Sequence, residues 1–424
     1  MAAATGIDVW TKRRSVPHLG TNKGAQQLAF QSWRRMKEAF APEVVARAVS
    51  ESRIPVKTCI DPFGGSGTTA LTAQFLGIKP ISIEVNPYLA DLTRAKLTTY
   101  DAEALRRDFL QTLRTVSDDD VDRTLAGLPP TFVEPGRGDR WIFSKNAARR
   151  AIGLRNAIDN LPDLANRRLL RVLLGGVLVD VSNVVVSGKG RRYRRNWSVQ
   201  QKGAADLDAA FLASFNRALS DVVRFADRAC LDYEVVTGDS RMELERVEES
   251  DLAVFSPPYA NSFDYTDVYN VELWMLGYIK DAASNRALRL STIRSHVQVA
   301  WDARVRMANS PLMAQSIGML TDIKSSLWDE RLPEMVDGYF NDLVVILKAL
   351  REKVDPEGSC WIVVGDSSYG GVTVPTAQIL EELAPQSGWT VRYSESSRSL
   401  QVSPQQGGLR QLPETLLVLD HSGS

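Results

Sequence analysis

The sequence predicts an α/β fold with a parallel sheet, and three observations lead to this prediction. Short apolar runs alternate with helical patterns, most clearly between residues 56 and 97. The loops that follow these runs carry Gly, Asp and Ser, and open α/β sheets bind ligands at the carboxyl ends of their strands. The 424 residues exceed the usual size of one compact domain, so we expect an insertion or a second domain.

The first unit of the sheet is predicted between residues 56 and 97. Residues 56–60 form a short buried strand that runs into the loop DPFGGSGTT at 61–69. Residues 70–76 are good helix formers, and Gly77 caps their C-terminus. A second strand at 81–84 and a helix at 88–97 follow. This order of elements implies parallel neighbouring strands.

The middle of the chain, residues 101–230, is predicted to be a largely helical insertion. It is rich in Arg, Ala, Leu and Asp, and a buried helix runs into an extended segment over residues 169–186. The α/β pattern then resumes and includes a helix across residues 336–350. Its strands are predicted at residues 233–236, 252–255, 360–364 and 415–419.

The glycines of the first loop let the backbone approach a ligand at the start of a helix. No Lys-Ser or Lys-Thr pair ends the loop, so it is not a phosphate loop. Glu84 ends the second strand 17 residues after Gly67. Doubly wound nucleotide-binding folds place there a carboxylate that accepts the ribose hydroxyls. On these features alone an NAD enzyme, or a tight turn beside a solvated charge, stays open.

Two further strand ends are expected at the same edge. Asp239 and Ser240 close one strand and are candidates to meet an adenine amino group. S-P-P-Y closes the next, after the apolar run DLAVF. The Ser256 hydroxyl oxygen and the Pro257 carbonyl can accept the hydrogens of an exocyclic amine, and the prolines hold them rigidly. Tyr259 can stack on a base, an interaction worth roughly 1–3 kcal/mol.

Together these motifs resemble the S-adenosylmethionine-dependent methyltransferases that modify exocyclic amino groups of DNA bases. DPFGGSGTT looks like their cofactor loop D-P-F-x-G-S-G-T-T, and SPPY like their tetrapeptide [DNS]-P-P-[YF]. KEAFAP at 37–42 is similar to their K-F-x-P element. The resemblance implies a Rossmann-like class I methyltransferase fold with a mostly parallel seven-stranded sheet whose last strand is antiparallel. Residues 1–100 and 231–424 would form the catalytic domain, and 101–230 a target-recognition region.

The resemblance also implies S-adenosylmethionine as the cofactor, DNA as the substrate and a flipped target base. Ser256 favours N4 of cytosine as the target, although most N4-cytosine enzymes carry the tetrapeptide before the cofactor loop. N6-adenine is therefore an alternative. The implied catalytic residues are Ser256, Pro257, Pro258 and Tyr259. The implied cofactor-binding residues are Asp61, Phe63, Gly64, Gly65, Gly67, Thr68, Thr69, Glu84, Asp239 and Ser240.

Two rival functions belong to other classes. N2-guanine transfer-RNA methyltransferases share the loop and a related tetrapeptide, but about 60 residues before the loop leave little room for their RNA-binding domain. A non-enzymatic nucleic-acid-binding module would need neither the cofactor loop nor S-P-P-Y.

A basic segment in the insertion is the candidate nucleic-acid contact. Arginines interleaved with aromatic residues suit phosphate contacts and stacking beside a flipped base, and a solvated loop is the alternative. Its residues are Lys189, Arg191, Arg192, Tyr193, Arg194 and Arg195.

The rest of the composition narrows the setting. The net charge of zero excludes a globally basic coat protein. Three scattered cysteines indicate neither a disulfide framework nor a zinc site, which favours the cytoplasm. No apolar run is long enough for a membrane span. Besides DNA, a cognate restriction or defence-system protein is a candidate partner.

Overall fold

The centre of the structure, a computed structural model, is a twisted β-sheet with helices on both faces. It describes residues 6–16, 20, 24–34, 36, 39–116, 120–187, 190–229, 231–301, 306–401 and 411–423. The strands are β1 (Thr58–Asp61), β2 (Lys79–Glu84), β3 (Val184–Ser187), β4 (Gly190–Tyr193), β5 (Glu234–Thr237), β6 (Ser250–Phe255), β7 (Val354–Gly365), β8 (Ser367–Tyr369), β9 (Val372–Val374), β10 (Trp389–Gln401) and β11 (Gln411–His421).

Seven of these strands form one sheet in the order β10-β11-β7-β6-β1-β2-β5. The neighbours from β5 to β7 pair in parallel, whereas β11 pairs antiparallel with both β7 and β10. This confirms the predicted Rossmann-like methyltransferase fold with its antiparallel last strand. The hairpins β3–β4 and β8–β9 are separate two-stranded sheets.

Four helices of the N-terminal part and of the insertion begin at side-chain caps. The Asn86 side chain accepts two backbone N–H groups at the start of the helix Pro87–Leu97, and Asp101, Ser144 and Asp163 cap the helices that begin at Ala102, Lys145 and Leu164. The helices of these two regions are α1 (Gly6–Thr11), α2 (Pro42–Ser50), α3 (Thr68–Phe75), α4 (Pro87–Leu97), α5 (Ala102–Arg114), α6 (Val121–Ala126), α7 (Lys145–Asp159), α8 (Leu164–Leu178) and α9 (Ala204–Arg224).

The remaining helices follow the strands of the second half of the sheet. They are α10 (Ser240–Glu243), α11 (Tyr265–Val268), α12 (Asn270–Met275), α13 (Ala282–Leu290), α14 (Pro311–Asp322), α15 (Leu332–Lys353) and α16 (Thr376–Leu383). Within the described residues, no helix is long and apolar enough to span a membrane.

The sheet separates two of the three apolar cores, because alternate residues of each strand point to opposite faces. Cys360, Ile362 and Val364 of β7 join the core formed with α14, α15 and α16. Trp361 and Val363 of the same strand join the core formed with α2. The sheet is therefore covered on both faces, and its ligand-accessible part is an edge.

The third core joins the insertion to the sheet domain through α4. Residues of α7, α8 and α9 pack with α4 and α12 and with the segment that contains Trp33. The hydroxyl group of Tyr88 donates a hydrogen bond to the carbonyl of Val172 at 3.2 Å. A Cβ atom on Gly175 would lie 2.6 Å from the Tyr88 ring. The insertion and α4 thus share one tightly packed interior.

Candidate active site

The loop between β1 and α3 is shaped by its glycines. Gly65 and Gly67 have φ values of 51° and 77°, in the left-handed region that other residues rarely adopt. A Cβ atom on Gly64 would collide with the Ser82 hydroxyl of β2. The loop can therefore pass this close to β2 only because position 64 lacks a side chain.

Glu84 holds the loop from the end of β2. Its carboxylate accepts the backbone N–H groups of Gly65 at 2.6 Å and Asn86 at 2.7 Å. Asp61, at the end of β1, accepts the N–H of Phe63 at 2.8 Å. Burial raises the pKa of both carboxyl groups to about 7, although these hydrogen bonds oppose the shift. A carboxylate has about four acceptor positions, so each retains lone pairs for ligand hydroxyls.

A buried lysine that the sequence analysis did not single out supports the same loop. Lys96 of α4 donates to the carbonyl of Ser66 at 2.6 Å and to the side-chain oxygen of Gln31 at 3.0 Å. Burial lowers the pKa of Lys96 to about 7. Its position in α4 gave no sign of this role, because Lys in a helix is usually solvated.

Asp239 and Ser240 lie at the end of β5 as expected, and both are tied to neighbouring groups. The Ser240 hydroxyl donates to the carbonyl of Pro62 in the glycine loop. The guanidinium of Arg241 binds the Asp239 carboxylate through several hydrogen bonds, one of them at 2.6 Å. Arg241 also binds Asp342 at 2.9 Å, and both of these side chains are almost fully buried.

The S-P-P-Y turn is anchored to the strands on its far side. The Ser256 hydroxyl donates to the carbonyl of Val363 in β7 at 2.8 Å. The Tyr259 hydroxyl donates to Glu414 of β11 at 2.7 Å. The hydroxyl of Tyr369 donates to the carbonyl of Ala260, the residue after the turn, at 2.7 Å. Because Val363 accepts the hydroxyl hydrogen of Ser256, the lone pairs of that oxygen are left to accept hydrogens from a ligand.

These strand ends enclose one cavity of about 370 Å³, within the usual range of small-molecule sites. All the predicted cofactor-binding and catalytic residues line it except Gly67 and Thr69. Gly67 instead forms the N-cap of α3, and the Thr69 hydroxyl donates to the carbonyl of Val254 in the neighbouring strand at 3.0 Å. Phe40 of the KEAFAP element also lines the cavity, while Lys37 lies outside the described residues.

The opposite wall, here called the roof, comes from residues 261–296. Residues 260–269 follow the S-P-P-Y turn directly along the chain, whereas the sequence gave no signal for residues 291–296. His296 is almost fully buried, and burial lowers its pKa, so the imidazole is neutral near pH 7. The roof residues are Asn261, Tyr265, Thr266, Ser291, Thr292, Ile293, Ser295 and His296.

The roof is fixed to the sheet domain by an arginine pair. Arg241 donates to the carbonyl of Thr292 at 3.0 Å. Arg294 binds the same carboxylate as Arg241, that of Asp342, with contacts of 3.2 and 3.0 Å. The buried Asp342 carboxylate thus links Arg241 of α10 to Arg294 of the roof segment.

The basic segment forms the strand β4 of a hairpin, which the sequence did not predict. Arg191 lies 5.8 Å from the Phe132 ring and 4.0 Å from the Asp267 carboxylate of α11. Since the beginning of α11 lines the cavity, the hairpin lies beside the cavity roof. Tyr193 packs against Trp197 with ring centroids 5.0 Å apart.

The arginines of this hairpin differ in their surroundings. Arg194, predicted to contact nucleic acid, instead donates to the backbone carbonyls of Val179 at 2.8 Å and Ser182 at 2.9 Å. It closes the turn that precedes the hairpin. Arg192 and Arg195 are exposed, and Lys189 lies outside the described residues. Arg192 and Arg195 are therefore the most accessible arginines among the described residues of the basic segment.

The residues around the glycine loop fit the cofactor that the sequence resemblance implies. The hydroxyl groups of Ser66 and Thr68 are buried and have no hydrogen-bond partner among the described residues. Both residues line the cavity, so a ligand with polar groups at this end would satisfy them. Asp61 and Glu84 provide acceptors for hydroxyl groups in the same cavity.

Comparison with known proteins finds similarity to a DNA methylase family and to type II methyltransferases. Residues 7–95 match the family model described as DNA methylase. The chain resembles DNA methylases. It is 23% identical over 415 residues to the type II methyltransferase M.BsoBI of Geobacillus stearothermophilus, covering 85% of this chain and 79% of that one. It is 22% identical over 417 residues to M.AvaI of a Nostoc species, covering 89% and 82%.

The similarity to these two type II methyltransferases therefore extends over most of the chain. Among solved structures, an rRNA methyltransferase from Streptomyces viridochromogenes covers 90% of the chain and 85% of its own, at 12% identity and a TM-score of 0.28. A likeness this distant supports no statement about this chain, and the fold is assigned from its own strand order.

Proposed function

We propose that this protein is a DNA methyltransferase that transfers a methyl group from S-adenosylmethionine to the exocyclic amino nitrogen of a flipped base, N4 of cytosine. The similarity to DNA methylases and to type II methyltransferases supports the reaction and the substrate. Ser at the first position of S-P-P-Y supports cytosine over adenine.

One observation carries the proposal: the Ser256 hydroxyl donates to the Val363 carbonyl at the wall of the cavity that Asp61 and Glu84 also line. An exocyclic amine has two hydrogens to donate. Ser256 accepts one through a lone pair of its hydroxyl oxygen, and the Pro257 carbonyl accepts the other. Two acceptors fixed in place draw the amine hydrogens toward them and aim its lone pair at the methyl donor.

The other residues of the site hold the reactants and exclude water. When bound, S-adenosylmethionine supplies the electrophilic methyl group. Asp61 and Glu84 would accept hydrogen bonds from its hydroxyl groups, and Ser66 and Thr68 would meet its polar end. Tyr259 stacks on the target base, which must leave the duplex to reach a recessed cavity.

The exposed arginines of the β3–β4 hairpin would bind the phosphates beside the flipped base. Arg192 lies in β4 and Arg195 follows that strand. The neighbouring Arg191 is 4.0 Å from Asp267 of α11, the helix whose beginning lines the cavity, which supports this role. Phosphate contacts of this kind orient the duplex but carry no sequence information.

The test is to incubate the protein with labelled S-adenosylmethionine and either duplex DNA or transfer RNA, then identify the methylated nucleoside by mass spectrometry. We expect N4-methylcytosine from DNA. N6-methyladenine would contradict the target base, and label confined to RNA would contradict the substrate. The Ser256→Ala protein is the negative control.

A further inference from the structure

Glu414 lies at the cavity edge of the sheet although it belongs to the last strand. Since β11 runs antiparallel to β7, Glu414 pairs with Gly365, the final residue of β7. The beginning of β11, rather than its end, is therefore adjacent to the carboxyl ends of the parallel strands. The Glu414 side chain lines the cavity and the residue is 1% exposed.

The Glu414 carboxylate contacts the S-P-P-Y turn. Its Oε1 atom accepts the Tyr259 hydroxyl at 2.7 Å. Burial, and then the Glu414 charge, raise the pKa of Tyr259 well above its usual value, so the phenol keeps its proton and remains a donor. A buried carboxylate thus lies in the cavity wall, hydrogen-bonded to the catalytic turn.

Methylation of an amine creates a positive charge on its nitrogen atom. The nitrogen lone pair becomes the new N–C bond, and the electron pair of the C–S bond remains on the sulfur of the cofactor. The nitrogen becomes positively charged until it loses one of its two protons to solvent. Ser256 and Pro257 offer that charge only neutral oxygens, because this turn begins with Ser rather than with Asp.

We infer that Glu414 supplies the missing negative charge and stabilises the positive charge that develops on the target nitrogen. This inference rests on the proposed function. A fixed charge in the low-dielectric wall of a protein cavity interacts with a developing charge more strongly than the same charge in solvent. The carboxylate comes from a different strand than the acceptors, so the turn needs no acidic residue of its own.

A purely structural role, in which Glu414 only holds the Tyr259 ring, makes different predictions. Glu414→Gln keeps the side-chain size and an oxygen that accepts from Tyr259, but removes the charge. Tyr259→Phe keeps the ring and the carboxylate, but removes the hydrogen bond. A charge effect makes Glu414→Gln the more damaging change, whereas a holding role makes Tyr259→Phe at least as damaging.

The first test measures single-turnover methyl transfer to DNA at saturating cofactor, together with the affinity for S-adenosylhomocysteine. We expect Glu414→Gln to slow transfer about 10- to 100-fold with unchanged affinity for S-adenosylhomocysteine, and Glu414→Asp to recover part of the rate. A Glu414→Gln rate within about twofold of wild type, or an equal loss in Tyr259→Phe, overturns the inference. A wild-type protein that methylates no DNA would instead refute the proposed function.

The second test needs no catalysis. Sinefungin carries a protonated amine where the cofactor carries its methyl sulfonium, whereas S-adenosylhomocysteine is neutral there. By calorimetry, wild-type protein should bind sinefungin more tightly, and Glu414→Gln should weaken only sinefungin, by about five- to tenfold. An equal affinity of the wild type for the two ligands contradicts the inference without any variant, so it stays testable even if Glu414→Gln fails to fold.

Discussion

The hydroxyl of Ser256 is bound to the carbonyl oxygen of Val363 at 2.8 Å, across the β6–β7 pair. The hydrogen bond commits the one hydrogen of the side chain to the protein backbone. Ser256 therefore faces the cavity with its oxygen as an acceptor, as the proposed role requires. The sheet itself orients this proposed acceptor of the amine.

Removing the Ser256 hydroxyl should damage transfer more than binding. We expect Ser256→Ala to lower the single-turnover rate by about 100-fold or more, because one of two acceptors for the amine is lost. Cofactor affinity should stay within about twofold of wild type. Ser387→Ala is the matched control, since the Ser387 hydroxyl is also buried and bound to a carbonyl, that of Leu383, but does not line the cavity. Loss of cofactor binding in Ser256→Ala would mean that the turn is structural.

Cofactor affinity should rise with pH. Burial raises the pKa of Asp61 and Glu84 to about 7, so both are largely protonated at pH 6 and ionised at pH 8. Since the ionised forms accept ligand hydroxyl groups best, the dissociation constant should fall by about tenfold over this interval. Calorimetric titrations at pH 6, 7 and 8 measure it. A pH-independent constant would contradict the assignment of these residues to the cofactor.

Asp61 and Glu84 have the opposite effect on the stability of the ligand-free protein, which should fall as pH rises. A carboxyl group with a raised pKa stabilises the fold below its ordinary pKa of about 4, and this contribution is lost as pH rises through about 7. The ligand-free protein thus loses stability from these groups between pH 4 and 7, and bound cofactor offsets the loss. The increase in Tm on adding S-adenosylhomocysteine should therefore be larger at pH 8 than at pH 6.

Asp342 should be essential for folding stability. Asp342→Ala leaves the buried guanidinium groups of Arg241 and Arg294 without their shared carboxylate, and loss of one partner of a buried pair costs about 3–5 kcal/mol. The control is Asp329→Ala, which breaks the pair with a half-exposed Arg331 and should cost less than about 1 kcal/mol. Urea unfolding of both variants gives the two free energies. Equal losses would show that the Asp342 network is not rigidly buried.

The arginines of the basic segment should fall into two groups, one that affects DNA binding and one that affects folding stability. Arg192→Ala/Arg195→Ala should weaken DNA binding and make the slope of log K against log salt shallower by about 2, one step per phosphate contact. Arg194→Ala should mainly lower the Tm, because its guanidinium holds the carbonyls before β3. Fluorescence anisotropy across salt concentrations measures the slopes.

Arg246→Ala serves as the control for loss of a positive charge outside the basic segment. Arg246 is exposed and pairs with Glu243, and neither residue lines the cavity. An unchanged salt slope in Arg192→Ala/Arg195→Ala would exclude these two residues from the DNA contact.

The sequence predicted those parts of the site in which neighbours along the chain stay neighbours in space. The glycine loop, Glu84, Asp239 and S-P-P-Y each follow an apolar run directly, and a parallel sheet collects such strand ends at one edge. The left-handed cap at Gly77 was likewise readable from the sequence and is present, with φ of 77°.

The parts that were missed depend on contacts between distant segments. The strand β10 was not predicted because it is an edge strand whose sequence, WTVRYSESSRSLQ, is largely polar. β4 was missed because arginines that stack on aromatic rings give no apolar alternation. Glu414 precedes the predicted strand at 415–419 by one residue, and only its antiparallel pairing shows that this end meets the cavity.

The contact between Gly175 and Tyr88 has a consequence for protein engineering. Helix α8 of the insertion approaches α4 too closely for any side chain larger than hydrogen, and the next residue of α4, Leu89, lines the cavity. The insertion therefore cannot be exchanged independently of α4. A chimera that replaces residues 101–230 with those of a relative needs the matching α4 as well, or the graft will distort the cavity wall to which Leu89 belongs.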